Sequence, residues 1–526
     1  MALPLLGAAV AWLIADRLDI VGWERWLGSR AHAIIAGALV AVAVLFTALL
    51  AARYLTWHSF ILDLGSYDQK AWLIATRSDI GGALAQTYRG GVRLTPCGSM
   101  RYWGICHFQP LYVLYGLAYR LWPSPLVLLV SQVLVVASGL IPCYLLGRDR
   151  LESAAAGVLA GALYVLHPAV QFNGLLDFRP DHVAIPFLFW AYWLIERDRV
   201  VAAIAAAGIP ALAKQSLMLT FAFFGLYVAW RRRRVAVGLA LCAVGLAAFV
   251  VASFYVLAAP GRSEAAFMVD RYFAGGAFLD PWLLARKVVY AIALFGPLGF
   301  LSLGSPMALV PALPSLVVSL AANDANFASI TSQYSASVVA PVFAALFVTL
   351  PRMTRRLGAR APTLRILAAL VILSVFFSVA QGPTPLALGF WIPSWGRQWH
   401  YSQYLPDRQA ALDEAARSIP TDPDIMVVSQ NDVNSARLAH RHFYFPFPNG
   451  LERADFVLLD SKRWPWIYWV PDAERYAELV RQLRESADYR LVFEREGVLL
   501  FARVGAHNPG PPDLRVAPPL PSGTPR

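Results

Sequence analysis

Apolar runs of helical length recur along this chain, and the polar gaps between them alternate in kind. Every second gap is arginine-rich, at 148–150, 197–199, 231–234 and 352–360. The intervening gaps gather Asp63, Asp68, His107, Asp177, Asp181, His182 and the segment 323–334. Short Lys/Arg-rich loops resist translocation, so this alternation predicts a multi-spanning membrane protein with arginines inside and the chemistry-bearing residues outside. The first full span is predicted over 31–56, after Arg25 and Arg30. Further spans follow over 124–147, 151–168, 183–196, 200–213, 216–230, 235–258, 287–304, 306–322, 336–350 and 364–381. About eleven crossings place the C-terminus outside, although several runs lie near or below the ~17 residues a perpendicular helix needs.

Two apolar stretches stand outside this scheme. Residues 3–15 lack the cationic start of a secretory signal and read as an extra span or an interfacial helix, the span being preferred. Residues 108–122 end at Pro123 and Pro125, and a full crossing there would swap the side of every later arginine gap. They are therefore expected to form a re-entrant or interfacial helix on the outer face.

Beyond Gln381 the periodicity changes. Residues 405–418 and 471–486 have helical patterning, with Pro406 and Asp407 suited to a first turn. The runs 424–429 and 455–460 read as buried strands, and Glu496-Gly497 as the turn of a hairpin. The expected organisation is an N-terminal apolar segment and cytoplasmic flank (1–30), a membrane domain (31–390) with a large first outer loop (57–123), an extracytoplasmic α/β domain (391–505) and a Pro/Gly-rich disordered tail (506–526).

Composition agrees with a membrane location. A chain that is 58% hydrophobic and 15% charged, with a mean hydropathy of +0.52, is too apolar for an ordinary soluble domain. The net charge of +12 lies largely in short loops, where it orients spans and meets anionic lipid heads, so nucleic-acid binding is not expected. The stretch ESAAAGVLAGALY reads as small-residue helix packing, not a phosphate loop.

The outer residues carry the candidate chemistry. Asp63 follows the first span directly, and its spacing leaves two readings open: a cap for a helix starting near Gly65, or a general base for a hydroxyl. Lys214, with Gln215, sits at the outer turn of a tight helical hairpin. It either snorkels to lipid phosphate or neutralises the phosphate of a lipid-linked substrate. Arg179 is similar, with pairing to Asp177 or Asp181 as its alternative. A divalent metal at His107, Asp177, Asp181 and His182 is disfavoured because their spacing is loose. Cys97 and Cys106 share the first outer loop, where an oxidising compartment favours a disulfide, expected to contribute about 2–4 kcal/mol.

The stretches DLGSYDQKAW, HFQPLYVLYGLAYRLWPSPLVLLVSQ and DFRPDHVAIP, the Lys214 hairpin and QYSASVVAPVF together resemble a bacterial family of predicted membrane proteins, defined as a domain of unknown function. That family is grouped with the GT-C glycosyltransferases, and the resemblance runs from about Tyr54 through the α/β domain. It implies a GT-C-like fold in the plasma membrane and inverting transfer of a sugar from a polyprenyl-phosphate carrier to an extracytoplasmic glycan, lipid or protein. Asp63 and Asp68 would then be catalytic. Lys214, Arg179 and His107 would face the donor phosphate, and Tyr67, Gln69, Asp177, Asp181, His182, Gln215, Gln333 and Tyr334 would line the cavity. Leu64 and Ser66 stand where the superfamily pattern has an acid and an arginine, and Gln215-Ser216 where the family has two acids, so the resemblance too leaves a divalent metal disfavoured rather than excluded. A transporter or flippase is the rival class; it predicts internal repeats and broken helices.

Overall fold

The computed structural model describes residues 2–77, 88–89, 92–93, 107–256, 280–355, 361–396, 399–422, 425–433, 435–438, 444–448, 450–452, 454–463, 470 and 472–505. Most form a helical bundle. Each expected apolar run coincides wholly or partly with helix. By length and composition, six helices among the described residues can each cross a membrane, or seven if one bent pair counts as a single span. Others are short: Ala184–Glu196 has 13 residues and Val200–Ala211 has 12, about 20 Å of helix against a hydrocarbon core of about 30 Å.

The first span differs most from expectation. Its helix runs from Ile20 to Leu55, 36 residues or about 54 Å, and starts where Asp19 accepts the Gly22 amide at 3.0 Å. The added turns carry exposed Trp23 and Trp26, residues suited to the headgroup level. Residues Ala2–Asp16 form a separate helix packed along Ala361–Gln381. The 108–122 stretch yields only a ten-residue helix, Tyr112–Leu121, lying on Ser66–Arg77, too short to cross.

Helix Ala336–Arg355 is almost wholly buried at the centre of the bundle. Close packing rather than a hydrophobic gradient joins helices in lipid, so small residues matter at contacts. On Ala154–Leu166, a Cβ at Gly157 would lie 2.9 Å from Tyr144 and Arg148, and one at Gly161 would lie 2.8 Å from Ile35. This is the packing stretch ESAAAGVLAGALY in use.

That helix breaks at Pro168 and resumes as Pro168–Leu175 at 55°. Proline has no amide and clashes with the preceding turn. His167 closes the gap, its Nδ1 accepting the Ala169 amide at 3.2 Å while its Nε2 lies 3.0 Å from the Leu294 carbonyl. The bend delivers the chain to the loop containing Asp177, Arg179 and Asp181. The run expected as a span over 287–304 is also remodelled: helix Pro281–Phe295 gives way to short turns through Gly304, where Pro297 and two left-handed residues, Gly299 and Phe300, interrupt it.

The C-terminal segment forms a five-stranded sheet with strands β1 (Val427–Ser429), β2 (Tyr444–Pro446), β3 (Phe456–Asp460), β4 (Tyr489–Arg495) and β5 (Val498–Arg503), in the order β2-β1-β3-β5-β4. The first three are mutually parallel and the last two add antiparallel. Alternation assigns the faces. Val428, Val457, Leu459, Leu499 and Phe501 meet helix Ala473–Glu485, whereas Val427, Leu458, Val498 and Leu500 meet helix Gln409–Arg417. That second helix starts later than Pro406 and Asp407 suggest, after Arg408 in a left-handed conformation. The β4–β5 turn has Glu496 and Gly497 both at positive φ, as a two-residue hairpin of that hand requires.

The second face of the sheet also receives Trp57 and Ile61, just beyond the first span. The α/β domain and the Asp63 turn therefore lie on the same side of the bundle. With the arginine gaps inside, a single cysteine at exposed Glu474 should react with an impermeant maleimide on intact cells. Labelling only after permeabilisation would put this side in the cytoplasm.

Candidate active site

Beyond Leu55 the chain leaves the helical path through Thr56 and Trp57, the latter at φ 64°. A bulky residue in the left-handed region costs roughly 1–2 kcal/mol, so surrounding contacts must hold it. The next residues make a single wide turn, Ile61–Gly65, that carries Asp63 and leads into helix Ser66–Arg77. Phe60 enters this turn with its amide donating to Asp177 Oδ2 at 2.5 Å. Asp177 also lies 3.8 Å from the buried Arg53 guanidinium, which donates to the carbonyls of Leu175 and His58.

Asp63 does not close the helix after it. Its partner among the described residues is Arg179, from a segment 116 residues away, in a direct ion pair in which both side chains stay 23% exposed. The Arg179 backbone is fixed by Gln132, whose carbonyl oxygen accepts the Arg179 amide at 2.9 Å while its amide donates to Leu176 at 2.7 Å. Two residues on, Asp181 accepts from Lys214 at 3.0 Å in a second pair, buried to 7% exposure on each side chain. Lys214 precedes helix Gln215–Arg232 in an extended conformation, and its ammonium sits 5.6 Å from the centre of the Tyr334 ring. Tyr334 in turn stacks on Phe327 at 4.0 Å, beside buried Gln333 in the short turn Gln333–Ser335.

His107 is oriented by Gln215. The Phe108 amide donates to Gln215 Oε1 at 3.0 Å, which turns the amide nitrogen of Gln215 toward His107 Nδ1, also at 3.0 Å. Nδ1 must then accept, so the ring proton sits on Nε2. Burial, reinforced by Lys214, Lys70 and Arg179, holds His107 well below the usual histidine range, and the ring is neutral. His182 is also neutral: burial lowers it to about 4, and its Nδ1 bonds the Arg179 carbonyl. Among the described residues, His182 Nε2 and Asp181 Oδ2 are buried without a hydrogen-bond partner.

Helix Ser66–Arg77 supplies the floor. Tyr67 is buried between Tyr112 and Phe178, with its hydroxyl 3.4 Å from Gln109 Nε2. Three residues on, on the same helical face, Lys70 donates to Gln109 Oε1 at 2.9 Å and lies 5.0 Å from the Tyr112 ring centre. Burial lowers the Lys70 ammonium to about 7. Sequence reading missed Lys70; its one signal was the i, i+3 spacing from Tyr67. Asp68 is placed differently, its carboxylate accepting from Tyr119 at 2.8 Å in a buried aromatic layer. The Gln69 side chain, Cys97 and Cys106 lie outside the described residues. No group of three His, Cys, Asp or Glu among the described residues is arranged to hold a metal ion.

Asp63, Arg179, Asp181, Lys214, His107, Gln215, Tyr67 and Tyr334 thus converge from five separate chain segments on one side of the bundle. Fold and site together define a multi-spanning α-helical membrane protein with a charged pocket at the span ends and an α/β domain beside it. The chain belongs to the family described as predicted membrane protein (DUF2079), whose model matches residues 53–500. No curated protein matches it. Among solved structures it is similar to ArnT from Cupriavidus metallidurans bound to undecaprenyl phosphate, at 14% identity and a TM-score of 0.49, covering 89% of this chain and 98% of that one. The apo form of the same protein aligns at 13% identity and a TM-score of 0.47, covering 89% and 97%.

Burial raises the Asp177 carboxyl from 3.8 to about 6, against the opposing pull of Arg53. A folded-state value above the unfolded one means that the fold favours the protonated form. The Asp177 contribution to stability is therefore fully present below about pH 4 and is lost as pH rises through about 6. Asp177→Asn keeps an acceptor for the Phe60 amide but cannot titrate. The difference in melting midpoint between wild type and Asp177→Asn in detergent should change across this window, in the direction of relative loss for wild type at higher pH. Parallel pH profiles would assign no such role to Asp177.

Proposed function

We propose that this chain is a GT-C-type membrane glycosyltransferase that moves a sugar from a polyprenyl-phosphate carrier to an extracytoplasmic glycan, lipid or protein hydroxyl, with inversion. One observation carries the reading. Two cations, Arg179 and Lys214, are each balanced by a carboxylate around Tyr67 and neutral His107, and one of those carboxylates is the half-buried Asp63.

A sugar phosphodiester reaching this cluster brings one negative charge. It competes with Asp63 for the more exposed guanidinium, Arg179, while the deeper Lys214 stays on Asp181. Neutral His107 stands beside these cations without adding to their charge. Drawing Arg179 onto phosphate parts it from Asp63 and leaves that carboxylate open to a hydrogen bond from the acceptor hydroxyl. The acceptor oxygen then attacks the anomeric carbon as its proton passes to Asp63. The carbon–oxygen bond to phosphate breaks, and its electron pair leaves with the polyprenyl phosphate. Arg179 and Lys214 offset the charge that grows there, a contribution of about 10²–10³ in rate for a well-placed donor. In this account Asp68, engaged by Tyr119, supports the helix that carries Tyr67 and Lys70.

A transporter or flippase draws support from the helix broken at Pro168, where Gln171 bonds Ser378 and Asn173 bonds Ser335 inside the bundle. Reconstituted protein separates the two readings. Asp63→Asn should keep undecaprenyl phosphate binding and lower transfer from a radiolabelled polyprenyl-phosphate sugar by roughly 10²–10⁴-fold. Lys214→Gln, which leaves Asp181 a donor but removes the charge, should weaken lipid-phosphate binding instead. Full transfer by Asp63→Asn would remove the base assignment. Movement of a labelled lipid across liposomes without any transfer would favour the transporter.

A further inference from the structure

In an open α/β sheet, the crevice beyond the carboxyl ends of parallel strands, where the connections diverge, is where ligands bind. Strand β1 is such a point, because the chain leaves it toward β2 on one flank and returns as β3 on the other. Here the crevice grips the membrane domain's own chain. The Asn431 carbonyl, just past β1, accepts the Ile61 amide at 2.8 Å, and Arg463, just past β3, donates to the Trp57 carbonyl at 3.3 Å.

The side chains repeat this hold. The Trp57 indole N–H donates to Asp413 Oδ1 at 2.9 Å, and Arg437 bonds the same oxygen at 2.8 Å while lying 5.1 Å from the centre of the Trp57 ring. Trp57 and Ile61 are 1% and 2% exposed, within the apolar cluster of Val427, Leu458, Val498 and Leu500. A left-handed tryptophan persists only where its surroundings over-determine it, a condition met more often at functional sites than elsewhere. From the opposite side Asp177 takes the Phe60 amide. Asp63 is two residues beyond Ile61, in the turn these contacts define.

We infer that the C-terminal α/β domain is a positioning device for Asp63: its strand-end crevice clamps residues 57–61 through Asn431, Asp413, Arg437 and Arg463, and so sets where the Asp63 carboxylate meets the acceptor hydroxyl. The catalytic consequence rests on the transferase reading, whereas the clamp belongs to the fold itself. Asp413 and Arg437 act through Trp57 and are positioning residues. A displacement of about 1 Å at a reacting group costs on the order of 100-fold in rate, so loosening the clamp should affect turnover more than donor affinity.

The test uses the full chain in nanodiscs with undecaprenyl phosphate as the lipid probe. Asp413→Ala should accelerate amide exchange over Ile61–Gly65 by about 10-fold or more and lower the transfer kcat by about 10–100-fold, with lipid affinity unchanged within about 2-fold. Asp413→Asn retains an oxygen for the indole N–H and should restore both. Trp57→Phe, which keeps an aromatic ring, smaller than the indole, but loses that N–H, should behave like Asp413→Ala if the alanine variant does not fold. Unchanged exchange in both Asp413→Ala and Trp57→Phe overturns the clamp. Faster exchange with unaltered kcat, or a kcat that falls in step with lipid affinity and melting midpoint without rescue by Asp413→Asn, overturns the positioning role. If Asp63→Asn itself leaves transfer intact, the transferase reading fails, while the exchange comparison still decides the clamp.

Discussion

Hydrocarbon offers no partner to a backbone N–H or C=O, so a chain in a membrane can leave the helical path only where protein or water receives those groups. This constraint organises the site. The irregular segments 56–65, 176–183, 212–214 and 322–335 bring Asp63, the Asp177/Arg179/Asp181 group, Lys214 and Tyr334 to one side of the bundle. Side chains satisfy much of the released backbone: Gln132 takes both ends of 176–179, Asp177 takes Phe60, and Gln215 takes Phe108. The residues that permit the chain to be irregular are thus neighbours of those with chemistry, and the two roles meet in Asp177 and Gln215.

Charge is arranged under the same constraint. Two ions removed from water regain the cost of desolvation only when they are close and well bonded, and removing one partner of a buried pair costs about 3–5 kcal/mol. Lys214 with Asp181 meets that description. Arg179 with Asp63 is more exposed and easier to open. The difference ranks them: the buried pair is a fixed background charge, and the outer pair is the one an incoming anion can part. Neutral His107 and His182 add polarity beside both pairs without adding to their charge.

Much of this architecture was legible from pattern alone. The apolar helices, the two amphipathic helices after residue 400, strands β1, β3 and β5 and the Glu496-Gly497 hairpin follow from local periodicity or turn chemistry, which one sequence displays. Only six or seven of the described helices, however, are long enough to cross a membrane, against about eleven expected spans. Strand β2 was missed because it is three residues long at a sheet edge and ends in Pro446. Asp63, Arg179 and Lys214 stood out because charges beside apolar runs are conspicuous. Their pairing, across 116 residues in one case and 33 in the other, has no local signature. Lys70 escaped for the same reason: its environment is made by Gln109 and Tyr112, about 40 residues away. Asp68, close to Asp63 in sequence, has its carboxylate turned to Tyr119, a direction that sequence spacing does not show.

The turn Ile61–Gly65 shows why a separate domain would be recruited to such a site. A wide turn has weaker internal hydrogen bonding than an α-helix and, within helical runs, recurs at functional sites. Left to itself, residues 56–65 could continue the preceding helix, which already spans 36 residues. That outcome would rotate Asp63 by about 100° per residue around a helix axis instead of presenting it to Arg179. Burial of Trp57 and Ile61 in the α/β domain, with Asp177 taking the Phe60 amide from the membrane side, stabilises the interrupted path over the helical one. The domain need not touch any substrate to matter. By making the break favourable, it determines that the carboxylate exists at that place at all.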